Sequence, residues 1–338
     1  MKRIGNLYEK IISLDNLRLA DEKARRGKLR SYGVLLHDKN REANILALHE
    51  TLKNRTFKNS EYSTFTIYEP KERIIFRLPY YPDRILHHAI MNILEPIWVS
   101  VFTKDTYSCI KGRGIHGAMR NVTRAIKDRK NARYCLKIDI RKFYPSIDHD
   151  VLKAIIRRKI KCKDTLALLD TIIDSTDGVP IGNYLSQYFA NLMLAYFDHW
   201  IKEEKRVRYY FRYADDMVFL ASTKEELHIL LADIKKYLAA LKLTLKGNEQ
   251  IFPIAENRAD KHGRGLDFVG FVFYHNQTLM RKSIKQNFCR IWQTEDFVRG
   301  YRGEPFALFN IFKQNFASIW QFKDSGYAFV GHISSLFD

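Results

Sequence analysis

The sequence predicts an α+β fold in which antiparallel hairpins are set among longer amphipathic helices. Three observations carry that expectation. β-Branched and aromatic residues cluster in short paired runs, at 62–79 and about 207–221. Between these runs apolar residues recur at helical spacing, as in Ile85, Leu86, Ala89, Ile90, Ile93 and Leu94. The chain has 338 residues, 46% of them apolar, which suffices for a core spread over two or three domains.

The charge balance narrows the class of partner. A formal net charge of +19 points to a polyanion, nucleic acid or an anionic membrane. No uninterrupted apolar run approaches the ~20 residues of a membrane span. The start, Met1-Lys2-Arg3-Ile4-Gly5, lacks the apolar centre of a signal peptide. Nucleic acid and the cytoplasm are therefore favoured over the membrane. Cys109, Cys135, Cys162 and Cys289 form no Cys-x-x-Cys and join no histidine cluster, so they read as reduced, mostly buried thiols.

Taken in order, residues 1–60 read as helices, with one apolar stripe of Leu7, Ile11, Ile12 and Leu14 and another within Ala43–His49. The basic run Lys23–Arg30 between them suits either phosphate contact or a solvated face. Residues 62–79 read as a hairpin turning at Glu69-Pro70-Lys71-Glu72. A helix follows Pro82, with Asp83 as its N-cap. Tyr107–Gly117 is a glycine-containing loop carrying Lys111 and Arg113. Residues 133–140 read as a strand, 150–174 as a basic helix capped by Asp148, and Ser186–Trp200 as a helix. An amphipathic helix at 223–240 leads to a strand at Leu241–Lys246. Near the end, Phe309, Phe312, Phe316, Ile319 and Trp320 recur at helical spacing.

Three acids stand out in this order. Asp215 and Asp216 lie side by side between two strand-forming runs, at a hairpin tip. Such a pair is either a solvated turn or a site for a hard divalent cation, which takes carboxylate oxygens together with substrate phosphates. Asp139 lies within the apolar run Leu136–Ile140. An acid there needs a partner or caps a turn. Three carboxylates from neighbouring strands suit two Mg²⁺ ions, which together activate an attacking hydroxyl and stabilise a leaving pyrophosphate.

Tyr213-Ala214-Asp215-Asp216 resembles the Tyr-x-Asp-Asp box of reverse transcriptases, and Asp139-Ile140-Arg141-Lys142-Phe143-Tyr144 resembles their first catalytic motif. Between them, Ile181-Gly182-Asn183-Tyr184-Leu185-Ser186-Gln187 stands where most intron- and retron-type enzymes have Gln-Gly-x-x-x-Ser-Pro. That altered box resembles the reverse transcriptases of diversity-generating retroelements, which mutagenise adenines while copying a template RNA. The resemblance covers residues 1–274, and the tail fits a thumb.

The resemblance implies a right-hand polymerase. Its parts would be a helical N-terminal extension (1–60), fingers (61–135), a palm with an antiparallel sheet (136–274, with a helical insertion at about 150–177) and a helical thumb (275–338). It implies that Asp139, Asp215 and Asp216 are catalytic and hold two Mg²⁺, with Mn²⁺ a possible substitute. Lys71 and Arg73 would clamp the triphosphate of the incoming dNTP. Phe143, or Tyr144 if the register shifts by one, would exclude ribonucleotides. Ile181 and Gln187 would line the nucleotide pocket. A lysine is usual a few residues after the last palm strand; here Gly247-Asn248-Glu249-Gln250 stands in that register, with Lys246 as the available substitute. Implied partners are a template-repeat RNA, the primer and cDNA, and a small basic accessory variability protein, in a bacterial, archaeal or phage-encoded system. An intron-, retron- or antiphage-type enzyme and a non-catalytic RNA-binding scaffold are the alternatives.

Overall fold

The computed structural model describes residues 3–68 and 72–286. Lys71, Cys289 and the apolar stripe from Phe309 to Trp320 lie outside the described residues.

Four helices open the chain: α1 (Tyr8–Ile12), α2 (Leu14–Ala24), α3 (Tyr32–Asp38) and α4 (Arg41–Lys53). Ser13 separates the first two, because its hydroxyl accepts the Asn16 amide and caps α2. β1 (Ser63–Ile67) and β2 (Arg73–Arg77) then form an isolated hairpin, Ile67 opposite Arg73. α5 (Ile85–Val99) runs through the centre, burying Ile85, Leu86, Ala89, Ile90 and Leu94 as its spacing predicts. Asp83 does not cap it. A wide helical turn at Tyr80–Arg84 precedes α5, and the Asp83 carboxylate is buried, accepting the Ser60 amide at 3.0 Å.

After α6 (Ile115–Ile126) comes β3 (Tyr134–Asp139), then α7 (His149–Arg157) and α8 (Lys163–Ile173). The single basic helix expected at 150–174 is thus two. Backbone bonds from Ile4 to Lys159 and from Lys161 to Ile4, both 2.8 Å, draw the intervening residues into an extended bridge. Asp148 does cap α7, accepting the Val151 amide at 3.0 Å. α9 (Tyr184–Met193) and α10 (Ala195–His199) lead into β4 (Tyr209–Tyr213), β5 (Asp216–Ala221) and α11 (Lys224–Ala240), which Thr223 caps.

The central sheet has the order β4-β5-β3-β6, all antiparallel, with β6 at Gln250–Pro253. The strand expected at Leu241–Lys246 is absent. Lys242 and Gly247 both have positive φ (59° and 82°), so the chain turns there and only Leu245 bridges Ile140. β7 (Leu266–Phe268), β8 (Phe271–Phe273) and β9 (Thr278–Met280) form a second small sheet, whose first turn uses Val269 and Gly270. Helices α1, α2, α4, α5, α7, α8, α9 and α11 share one apolar core with β3 and β5. Among the described residues no helix is long and apolar enough to cross a membrane.

Candidate active site

The central sheet brings the three acids together. Antiparallel pairing sets Asp139, the last residue of β3, opposite Asp216, the first residue of β5. Tyr213 faces Asp216 from β4, so Ala214 and Asp215 make the turn. Asp139 therefore ends its strand rather than lying in the middle of it, and is half-buried. Ala214 is left-handed at φ 55°, a conformation a non-glycine residue keeps only when its surroundings impose it.

The imposing residue is Arg212, which the sequence reading missed. Both Arg212 and Asp198 are wholly buried. The guanidinium donates to both Asp198 oxygens, at 2.8 and 2.6 Å, to Asn191 Oδ1 at 3.2 Å, and to the Ala214 carbonyl at 3.0 Å. Asp198 also accepts Thr106 Oγ1 at 2.8 Å and the Tyr210 hydroxyl at 2.6 Å. Asn191 donates to the Ser108 carbonyl at 2.9 Å, which ties the Tyr107–Gly117 loop to the same network. Arg113 braces that loop from within, donating to the Thr106 carbonyl at 3.1 Å.

Above this support the carboxylates are poorly compensated. Burial, followed by repulsion from Asp139, pushes Asp215 up to about 6. Burial pushes Asp216 up to about 6 as well, against the pull of Lys137. Lys137 Nζ lies 3.4 Å from Asp216 Oδ2, and Lys246 Nζ lies 3.1 Å from Asp139 Oδ2. Lys137 was overlooked; its signal was the two-residue spacing that puts it on the same strand face as Asp139. Among the described residues no group of three His, Cys, Asp or Glu side chains is set to hold a metal ion as the chain stands. The donor set nevertheless fits a divalent cation. Asp216 Oδ1 is buried with no hydrogen-bond partner, and all three acids supply the hard oxygens such an ion prefers.

Of the residues expected to surround the nucleotide, Arg73 is exposed at the start of β2. Phe143 is 2% exposed and packed in the core. The neighbouring ring, Tyr144, is half-buried, and its hydroxyl is within electrostatic reach of Asp215 and Arg73; burial pushes it up to about 12. Ile181 is half-buried and its carbonyl accepts the Phe76 amide at 2.8 Å, joining its loop to β2. The contact is close enough to require glycine next door: a Cβ on Gly182 (φ 118°) would lie 2.4 Å from the Phe76 carbonyl oxygen. Gln187 is exposed in the first turn of α9.

Residues 68–248, more than half of the chain, match the reverse transcriptase (RNA-dependent DNA polymerase) family. The chain belongs to that family. It is 24% identical over 266 residues to Protein YkfC of Escherichia coli, covering 64% of this chain and 67% of that protein. It is 26% identical over 139 residues to the group II intron-encoded protein LtrA of Lactococcus lactis, covering 38% of this chain and 23% of LtrA. The structure resembles apo telomerase from Candida tropicalis truncated from its C-terminal domain, with TM-score 0.51 and 13% identity, over 70% of this chain and 60% of the telomerase. That likeness shows the fold, an α+β right-hand polymerase. The chain thus spans three-fifths of the telomerase and under a quarter of LtrA.

Proposed function

We propose that this chain is the polymerase of a diversity-generating retroelement, which copies a template-repeat RNA into cDNA with errors at adenines. The observation that carries the polymerase reading is the pairing of Asp139 with Asp216 beside the Asp215 turn, which gathers three carboxylates at one end of the sheet. They would hold two divalent cations, Mg²⁺ or Mn²⁺. When bound, such ions activate the primer 3′-hydroxyl and stabilise the leaving pyrophosphate. In this reading Lys71 and Arg73 grip the triphosphate of the dNTP. Tyr144 blocks a 2′-hydroxyl, and Lys246 is the ammonium available to protonate pyrophosphate. Fingers, palm and thumb take the divisions 61–135, 136–274 and 275–338. A small basic accessory protein would join through the RNA, because two basic proteins repel each other directly.

The mutagenic reading rests on Ile181 and Gln187. Isoleucine has no amide to hydrogen-bond near the sugar, a loss of about 1 kcal/mol, or roughly fivefold in holding a nucleotide. A less rigidly held sugar lets a mispaired nucleotide compete. Sequencing cDNA made on an adenine-rich template tests this: Ile181→Gln should lower misincorporation opposite adenine several-fold and improve use of the correct dTTP. The similarity to LtrA supports a plainer intron-type enzyme. Wild-type cDNA without an excess of errors at adenines would favour that reading.

A further inference from the structure

The β1–β2 hairpin, whose second strand begins with Arg73, shares no strand with the other two sheets. Much of it faces outward, and Phe65 and Ile74 are 50% and 55% exposed. A two-stranded hairpin is marginal in water unless something holds it. The backbone bond from the Phe76 amide to the Ile181 carbonyl is one tie. A second tie is made by side chains from three segments remote in sequence.

Tyr62 stands just before β1, and its ring meets that of Phe76 edge-on, with centroids 5.7 Å apart. Its hydroxyl lies 3.0 Å from Ser175 Oγ, just beyond the end of α8. The Ser175 hydroxyl donates to the Ile172 carbonyl at 2.6 Å. With its one proton engaged there, Ser175 can only accept from Tyr62. Tyr62 then has only lone pairs left, and these accept Asn183 Nδ2 at 2.9 Å. The direction of every bond thus follows from the Ile172 carbonyl. Protons point from Asn183 to Tyr62, from Tyr62 to Ser175, and from Ser175 to Ile172.

Asn183 forgoes a local role to make its bond. It is the N-cap residue of α9, with extended backbone (φ −87°, ψ 144°). An asparagine at that position ordinarily accepts an amide of the first turn. Here the side chain makes no such cap bond. It is 7% exposed and turned to Tyr62 instead. The contact comes one residue after Gly182, whose missing Cβ lets the same loop approach Phe76. Hairpin and loop are therefore joined twice, once by backbone and once by side chains.

We propose that Asn183, Tyr62 and Ser175 form a directed latch that docks the β1–β2 hairpin on the loop carrying Ile181. Tyr62 and Asn183 are then positioning residues for nucleotide use, because they set where Arg73 stands relative to Ile181. That last step rests on the triphosphate role given to Arg73 above; the latch itself does not. Hydrogen–deuterium exchange of the β1 and β2 amides in the full chain, free of RNA and nucleotide, reads the latch. Steady-state primer extension with varied dNTP reads its use.

Tyr62→Phe and Asn183→Ser should each speed exchange in the hairpin roughly threefold to thirtyfold. Each should raise the KM for the dNTP roughly threefold to tenfold and leave kcat nearly unchanged. Serine caps a helix as well as asparagine does but is too short to reach Tyr62, so a capping role alone would survive Asn183→Ser. Ser175→Ala, which removes only the far link, should do less. The double variant Tyr62→Phe/Asn183→Ser should be no worse than Tyr62→Phe alone, because one link cannot be broken twice. Tyr32→Phe, at a ring 79% exposed on α3, should change neither readout. Wild-type exchange in both single variants, or losses that add in the double variant, would overturn the latch. Faster exchange with a wild-type KM would overturn the positioning role, provided that Arg73→Gln itself raises KM. A wild-type KM in Arg73→Gln would sink the triphosphate reading instead and leave exchange and the double variant to decide the latch.

Discussion

Two charged groups lie on either side of the same β-turn and behave in opposite ways. Below it, Arg212 and Asp198 are wholly buried, yet the Asp198 carboxylate accepts three different side chains and the Arg212 guanidinium also holds the turn's own carbonyl. Above it, Asp215 and Asp216 are less buried but strained in charge, both pushed up to about 6. The contrast separates structure from chemistry. Charge balanced inside the chain fixes a backbone. Charge left unbalanced at the end of a sheet awaits an ion from outside.

The largest expected effect breaks the upper group. Asp139→Ala or Asp215→Ala should abolish detectable primer extension while leaving RNA affinity close to wild type, because phosphate contacts dominate that affinity. Near-normal extension by either variant would dismiss the assignment of these acids as cation ligands.

Breaking the lower group should cost stability first. Arg212→Met leaves Asp198 buried without its cation, and Asp198→Ala does the reverse. Each is expected to destabilise by about 3–5 kcal/mol in chemical denaturation. Survivors should extend primers slowly even at saturating Mg²⁺, because Ala214 loses the donor that holds its left-handed turn. Full-speed extension by a folded Arg212→Met protein would deny Arg212 that positioning role.

A third experiment sharpens the comparison by reversing a sign. A carboxyl raised from 3.8 to about 6 in the fold stabilises the protonated protein; that advantage is complete below about pH 4 and is lost as pH rises through 6. Asp215→Asn removes the penalty, so without metal it should gain on the order of 2 kcal/mol at pH 7.5. The gain should vanish near pH 4. Millimolar Mg²⁺ should raise the melting temperature of the wild type and have less effect on the variant. A destabilised Asp215→Asn at pH 7.5 in EDTA would contradict the raised value.

The smallest expected effect on activity separates two adjacent rings. Tyr144→Ala should relax dNTP-over-rNTP preference with modest loss of stability. Phe143→Ala should lose about 3–5 kcal/mol of core packing and keep the preference in whatever folded enzyme remains. The opposite pattern would return the sugar-facing role to Phe143.

Much of this was legible in the sequence because strand pairing and turns leave local marks. Alternation around Asp215 and Asp216 announced the hairpin, and the apolar run at 136–140 its neighbour. What escaped was long-range. Asp83 looked like a helix cap, and only tertiary packing turned it to Ser60. The strand expected at 241–246 had the right composition, but two left-handed residues bend the chain and the edge of β3 is taken by Gln250–Pro253 instead. Arg212 and Asp198 are fourteen residues apart on different elements, a spacing no local period marks. Phe143 and Tyr144 differ by one residue in a short helical turn, where no alternation decides which ring faces in.

The bridge between Ile4 and the α7–α8 connection has a consequence for how the chain is made. Ile4 finds its partners only at residues 159 and 161. Ribosomes add roughly 5–20 residues per second, so the first helices wait about ten to thirty seconds before the segment they clasp has been synthesised. Through that interval Leu7, Ile11 and Ile12, which end in the shared core, have only nearby helices to cover them. The newborn chain would therefore be at its most exposed to holdase chaperones before the turn carrying Asp215 exists. Synonymous changes that slow translation between residues 60 and 160 should lower soluble yield without altering the purified protein.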